Sequence, residues 1–267
     1  MAGEIERQAW GLAPLVRRVD PDRYFTALFA PARHRETLLL LYAVNHEVAR
    51  AREVVREPMM ALMRLQWWRE VADGARRRHE VAGPLGEALD AGRLVPADIV
   101  ALIEGREPEA GPAIATLAAW QDFVRGTAGA LACAAGRVLG AEGAALERIA
   151  TLGTAYGVAG QMRNVAALAR QGRCLLPLDL LRAHGLTAEA VVAQPDDPRL
   201  DAVRGELRAW GRSLLREAGG ALPRPAIAAA LPAVLARRDL RRPTPPPGPR
   251  GFPDQVAVLA AALRGRV

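Results

Sequence analysis

Residues 153–177, GTAYGVAGQMRNVAALARQGRCLLP, constrain this chain more than any other stretch. The segment reads as a helix that enters through Gly153, Ala155, Gly157, Ala159 and Gly160, meets a polar patch at Gln161, Arg163 and Asn164, and runs on over Ala166, Ala167 and Leu168. Glycine inside a helix costs about 1 kcal/mol against alanine, so a close approach by neighbouring helices must compensate. Polar groups in the middle of a small, apolar helix face a cavity, a ligand or a buried network. The helix should stop at Gly172, ahead of an extended Leu-Leu-Pro turn.

The rest of the chain is helix-favouring. Hydrophobic residues make up 51% of the 267 and aromatics only 4%, and Ala, Leu, Arg and Glu dominate. No strand-like alternation persists, and no internal repeat is visible. The pattern predicts helices over 23–30, 32–56, 58–74, 84–91, 96–104, 114–140, 144–169, 178–184, 187–193, 199–218, 226–238 and 254–264, with a short one at most over 1–20. Asp20 and Pro21 open the helix over 23–30 as N-cap and first-turn residue. A proline-rich stretch, 241–253, reads as extended or disordered. The economical architecture is one all-α domain over 1–267.

The formal charge of +7 suits anionic partners such as diphosphates or acidic headgroups. No nucleic-acid-binding signature appears, so nucleic acid is not an expected partner. Cys133 and Cys174 make neither a disulfide framework nor a metal site, and a reducing compartment is the simple reading. The N-terminus lacks a signal-peptide pattern, and no run is long and apolar enough to span a bilayer. A cytoplasmic protein, peripheral at most to the inner membrane, is expected.

A second stretch matters beside the first: Tyr24, Leu28 and Phe29-Ala30-Pro31, then LLLLYAVNHEVARAREVVREP, then MRLQWWRE. Together with the Gly-Arg…Leu-Pro frame at Gly172, Arg173, Leu176 and Pro177, it resembles the squalene/phytoene synthase family, which joins two prenyl diphosphates head to head. The resemblance spans about 22–193 and implies the isoprenoid synthase fold, with helices around a central cavity. It also implies a site in which Mg²⁺ bridges the diphosphates to carboxylates on two facing helices. Mg²⁺ takes oxygen ligands in near-octahedral geometry, and acids four residues apart share one helix face.

Laid on this chain, the first acidic pattern falls on Ala49 and Glu53, and the second on Asn164, Ala167 and Leu168. Five acids become one, so no metal site and no cofactor are expected, Mg²⁺ entering only under a catalytic reading. Arg50, Arg52, Arg163 and Arg173 lie in the same regions as candidate ligands of a diphosphate or lipid headgroup, since arginine grips phosphate without metal. Tyr42, Asn45 and Gln161 are candidate pocket residues. The same arginines would alternatively be solvated or paired with Glu47, Glu53 and Glu70. In MRLQWWRE, the spacing of Met63, Trp67 and Val71 predicts a core stripe.

The Arg-Leu-Gln-Trp-Trp run and GLTAEAVV after LPLDLLRAH are similar to the family branch containing the mitochondrial complex I assembly factor and its bacterial relatives, likewise depleted in the aspartate motifs. The expectation is therefore a non-catalytic binding or assembly protein with a prenyl diphosphate, lipid or protein partner and peripheral membrane contact. The alternative is an active prenyltransferase making squalene, presqualene diphosphate or phytoene, and a third reading is a basic scaffold without ligand.

Overall fold

The structure is a computed structural model describing residues 2–55, 57–242, 248 and 250–267, with side chains from Gly11 onward. Helices α1 (Ala2–Val19), α2 (Pro21–Ala27), α3 (Ala32–Glu53), α4 (Pro58–Ala72), α5 (Ala82–Asp90) and α6 (Pro96–Glu104) build the first half. The second half holds α7 (Leu117–Val124), α8 (Ala130–Val138), α9 (Gly143–Arg170), α10 (Leu178–Ala183), α11 (Ala188–Ala193), α12 (Leu200–Ala218), α13 (Ile227–Ala230), α14 (Pro232–Asp239) and α15 (Phe252–Arg264). The fold is all-α. Among the described residues the sole β feature is an isolated bridge between Ala221 and Arg266.

Helix α9 is the axis of the second half, packing against α8, α12 and α14. Its glycines explain how. A Cβ on Gly153 would fall 2.2 Å from the Ala132 Cβ and 2.8 Å from the Ala128 carbonyl oxygen, and one on Gly157 would meet Ala128 and Val124 at 2.6 and 2.7 Å. Backbone contact with the 124–132 segment thus compensates the glycines' helix cost. Gly160 has no such neighbour. The helix ends as its sequence predicts. Gly172 takes a left-handed φ of 71°, its amide bonds the Ala169 carbonyl, and the Arg173 amide bonds that of Leu168, a Schellman closure.

Several boundaries differ from expectation. The single helix predicted over 114–140 is two, separated by a π-helical turn, Arg125–Gly129. There Gly126 meets Gly105 backbone to backbone, and the Thr127 hydroxyl donates to the Phe123 carbonyl at 2.7 Å, competing with regular helical pairing. The helix predicted over 226–238 breaks at Pro232, which lacks an amide proton. The N-terminal helix is longer than expected and carries Pro14 inside it. In the proline-rich stretch, residues 243–247 and 249 lie outside the described residues, and Phe252 and Pro253 open α15 rather than continuing an extended run.

The core stripe of α4 is also not the predicted one. Ala61, Leu65, Trp68, Val71 and Ala72 are buried, whereas Met63 is 59% exposed and Trp67 only packs against the core's edge. The helix is rotated so that Leu65 and Trp68 face the core, leaving Met63 and Trp67 on its flank. Burial of each such large apolar side chain is worth about 1.5–3 kcal/mol.

Candidate functional site

The Schellman turn after α9 decides where the Gly-Arg end of the motif points, because it turns Arg173 back toward the end of α3. Here Arg173 sits half-buried, its guanidinium donating to the Glu109 backbone carbonyl at 3.4 Å. Burial, foremost, lowers its pKa from the ordinary arginine value. Arg52 pushes the same way, and the charges of Glu109 and Glu53 oppose it. Arg52 donates to the Val55 carbonyl at 2.6 Å, and its Nε is buried without a partner. Asn45, buried on α3, accepts from Arg106 at 3.3 Å, and Arg106 pairs with Glu109 at 2.9 Å. Asn45, Arg52, Glu53 and Arg173 are thus brought together, around a carboxylate that sequence reasoning did not single out. Glu109 lies in the 3₁₀ turn Glu107–Ala110. The available signal was the Arg-x-x-Glu spacing of Arg106 and Glu109.

Arg163 goes elsewhere. It faces Asp239 at 3.5 Å and donates to the Gly248 carbonyl at 2.8 Å. Asp239, 1% exposed, also takes Arg250 at 2.8 Å, and Arg250 reaches on to Asp22 at 3.0 Å. The Tyr156 hydroxyl donates to Asp22 at 3.0 Å, while Arg23 pairs with Asp20 at 2.7 Å and lies 4.8 Å from the Tyr156 ring centre and 6.0 Å from that of Tyr42. Tyr42 is therefore buried within this knot, and burial raises its pKa despite Arg23. For Arg250, burial alone would lower the pKa, but hydrogen bonds to Asp239 and Asp22 raise it overall. Arg50 has a third location, paired with the buried Glu47 at 3.0 Å, as the alternative of a carboxylate partner anticipated.

The second-motif positions, three and four residues apart on α9, share one face of that helix but are not equally covered. Asn164 is exposed, and Ala167 and Leu168 are half-buried. Leu168 and Gln161 line a narrow space with Val165, Arg173, Cys174, Leu175, Leu176 and Val191. The lining is apolar apart from Gln161 and Arg173, and the volume is about 10 Å³, room for about one water. Cys174, Leu175 and Leu176 in this lining are buried.

At the five positions onto which the resemblance lays the acidic pattern, the side chains are those of Ala49, Glu53, Asn164, Ala167 and Leu168. Glu53 is the sole carboxylate, exposed and within the field of Arg173 and Arg52, whereas Mg²⁺ requires several oxygens in octahedral array. Among the described residues, no three His, Cys, Asp or Glu side chains stand together as a possible metal site, and no helix is long and apolar enough to cross a membrane.

The fold is shared with solved structures. A dehydrosqualene synthase in complex with ligand superposes with a TM-score of 0.78 at 14% identity, covering 98% of this chain and 97% of that one. The squalene synthase HpnC from Alicyclobacillus acidocaldarius gives 0.66 at 18% identity, covering 98% and 95%. Among curated proteins, NADH dehydrogenase (ubiquinone) complex I, assembly factor 6, from Homo sapiens is 24% identical over 199 residues, 71% of this chain and 60% of that protein. The Bos taurus protein is 25% identical over 189 residues, 68% and 57%. The alignment thus spans about three-fifths of these relatives. The family model for squalene/phytoene synthase matches residues 16–245, and the chain belongs to that family.

Proposed function

We propose that this chain is a non-catalytic squalene/phytoene synthase-family protein, a binding or respiratory complex I assembly-type factor without the aspartate-rich Mg²⁺ motifs. The observation that carries the reading is the substitution of charge at the motif positions. One carboxylate remains of five, and Arg52 and Arg173 stand beside it. Similarity to complex I assembly factor 6 supports the assembly role. In this reading Arg52 and Arg173 meet an anionic group, a prenyl diphosphate or lipid headgroup, once Leu175 and Leu176 give way, and the basic surface touches the membrane peripherally. Arginine binds such groups without a divalent ion.

The test is incubation with farnesyl diphosphate and Mg²⁺, followed by pyrophosphate release and product chromatography. No turnover above a protein-free blank is expected. Magnesium-stimulated release overturns the reading and favours the alternative, an active prenyltransferase, which the close superposition on dehydrosqualene synthase supports. Calorimetry with a non-hydrolysable farnesyl diphosphate analogue in chelator should give binding that Arg173→Ala removes. Deletion of the gene in its host should lower assembled NADH dehydrogenase in the membrane, and an unchanged level would remove the assembly role.

A further inference from the structure

Beside α4 lies a groove of about 330 Å³ lined by Glu47, Met60, Met63, Arg64, Trp67, Trp68 and His79. It contains none of the acidic-pattern positions (49, 53, 164, 167 and 168), although Met63, Arg64, Trp67 and Trp68 belong to the MRLQWWRE run and Glu47 to the α3 stretch. We propose that this groove is a second ligand site, which takes the chain of a single-chain amphiphile with an anionic head.

Four observations carry it. The volume is that of a small-molecule site, about 300–1,000 Å³. The walls are apolar and preformed. Trp67 and Trp68 meet edge to face at 4.9 Å, and the His79 ring packs against both, at 5.7 and 5.4 Å. His79 is itself fixed, because its Nδ1 accepts the amide hydrogens of Val81 at 3.1 Å and Ala82 at 3.4 Å. A neutral ring held this way carries its proton on Nε2, which leaves a donor for the groove. The rim is apolar where water would favour polar residues. Met60 and Met63 are 47% and 59% exposed, with Met59 and Leu62 beside them on the same helix. Methionine is a flexible lining suited to chains of variable shape.

The charges select the head group. Glu47 is buried and already paired with Arg50. Arg64 is exposed at the rim, and Arg78 precedes His79. Neither Arg64 nor Arg78 forms an ion pair among the described residues, whereas Arg77 is held by Glu70 at 2.8 Å. The rim therefore offers the Arg64 guanidinium, unpaired among the described residues, beside the His79 ring, while the one carboxylate of the lining, Glu47, is already paired, which favours an anion over an organic cation. A second copy of this chain would bring a second arginine rim against the first, and like charges disfavour that occupant.

The inference does not rest on the proposed function, and its experiment separates the two. Dodecanoate below its micellar concentration is titrated into the whole chain, followed by calorimetry and tryptophan emission. One saturable site per chain is expected. Met63→Glu and Arg64→Ala, both at exposed positions, should each weaken binding about tenfold with the melting temperature unchanged. Arg173→Ala should leave dodecanoate binding unchanged. Arg64→Ala should also abolish the preference for dodecanoate over dodecyltrimethylammonium. Non-saturable uptake, tighter binding of the cation, or indifference to Met63→Glu overturns the proposal. So does a dimer that Met63→Glu dissociates and that binds no dodecanoate.

Discussion

Arg250 and Arg173 are both withdrawn from water, and their surroundings push them in opposite directions. Arg250 lies between Asp22 and Asp239, hydrogen-bonded to each, and its charged form is favoured. Arg173 has a backbone carbonyl for a partner and Arg52 for a neighbour, and burial disfavours its charge. A buried ion with well-placed opposite charges holds structure together, whereas one with few partners adds little stability and is available to a ligand. The difference separates the polar knot around Asp22 and Asp239, which joins chain segments far apart in sequence, from the end of α3 and α9, where the half-buried Arg173 donates to a backbone carbonyl.

The largest test of that contrast is Arg250→Ala. It leaves the 1%-exposed Asp239 with only Arg163, at 3.5 Å, and Asp22 with only the Tyr156 hydroxyl, and should cost about 3–5 kcal/mol in urea unfolding. A cost below about 1 kcal/mol would mean the knot is not structural. Next, Glu109→Gln removes the charge that Arg106 pairs with. It should cost about 1–3 kcal/mol, and pyrophosphate should bind more tightly because Arg173 loses a nearby carboxylate. Arg173→Leu comes third. Its stability should stay within about 1 kcal/mol of the parent while pyrophosphate binding is lost. A destabilisation matching that of Arg250→Ala would erase the comparison.

The smallest effect concerns His46, on α3 between the two regions. Burial chiefly lowers its pKa from 6.5, Arg50 adds to this, and Glu47, Glu53 and Asp20 oppose it. The unfolded chain therefore binds the proton first as pH falls below 6.5. The corresponding stability is complete above 6.5 and declines until the folded histidine protonates. His46→Asn should flatten the slope of melting temperature between about pH 7 and about pH 5. An unchanged slope would assign it to other groups.

Much of the local architecture was legible. The N-cap at Asp20, the start of α6 at Pro96 and the termination of α9 at Gly172 follow from residue types whose backbone preferences act within a few positions. The close packing promised by Gly153 and Gly157 is present. The face of α4 was misjudged because Met63 and Trp67 share a helical period with Val71, and periodicity identifies a stripe without saying how wide the buried arc is. The site was legible in parts. Arg173, Arg52, Glu53 and Asn45 do gather, yet Glu109 among them carried no signal stronger than its spacing to Arg106.

The sequence alone determined that this chain would be helical and where its pivotal helix would end. These are matters of residue identity and of neighbours within a turn or two. Tertiary structure alone decided that Arg163 turns to Asp239 and Gly248, that Arg250 spans back to Asp22, and that Leu175 and Leu176 line a narrow space with Gln161. Charge pairing and cavity filling depend on how helices distant in sequence are set against one another. Those angles are fixed by the whole core at once and are written in no local pattern.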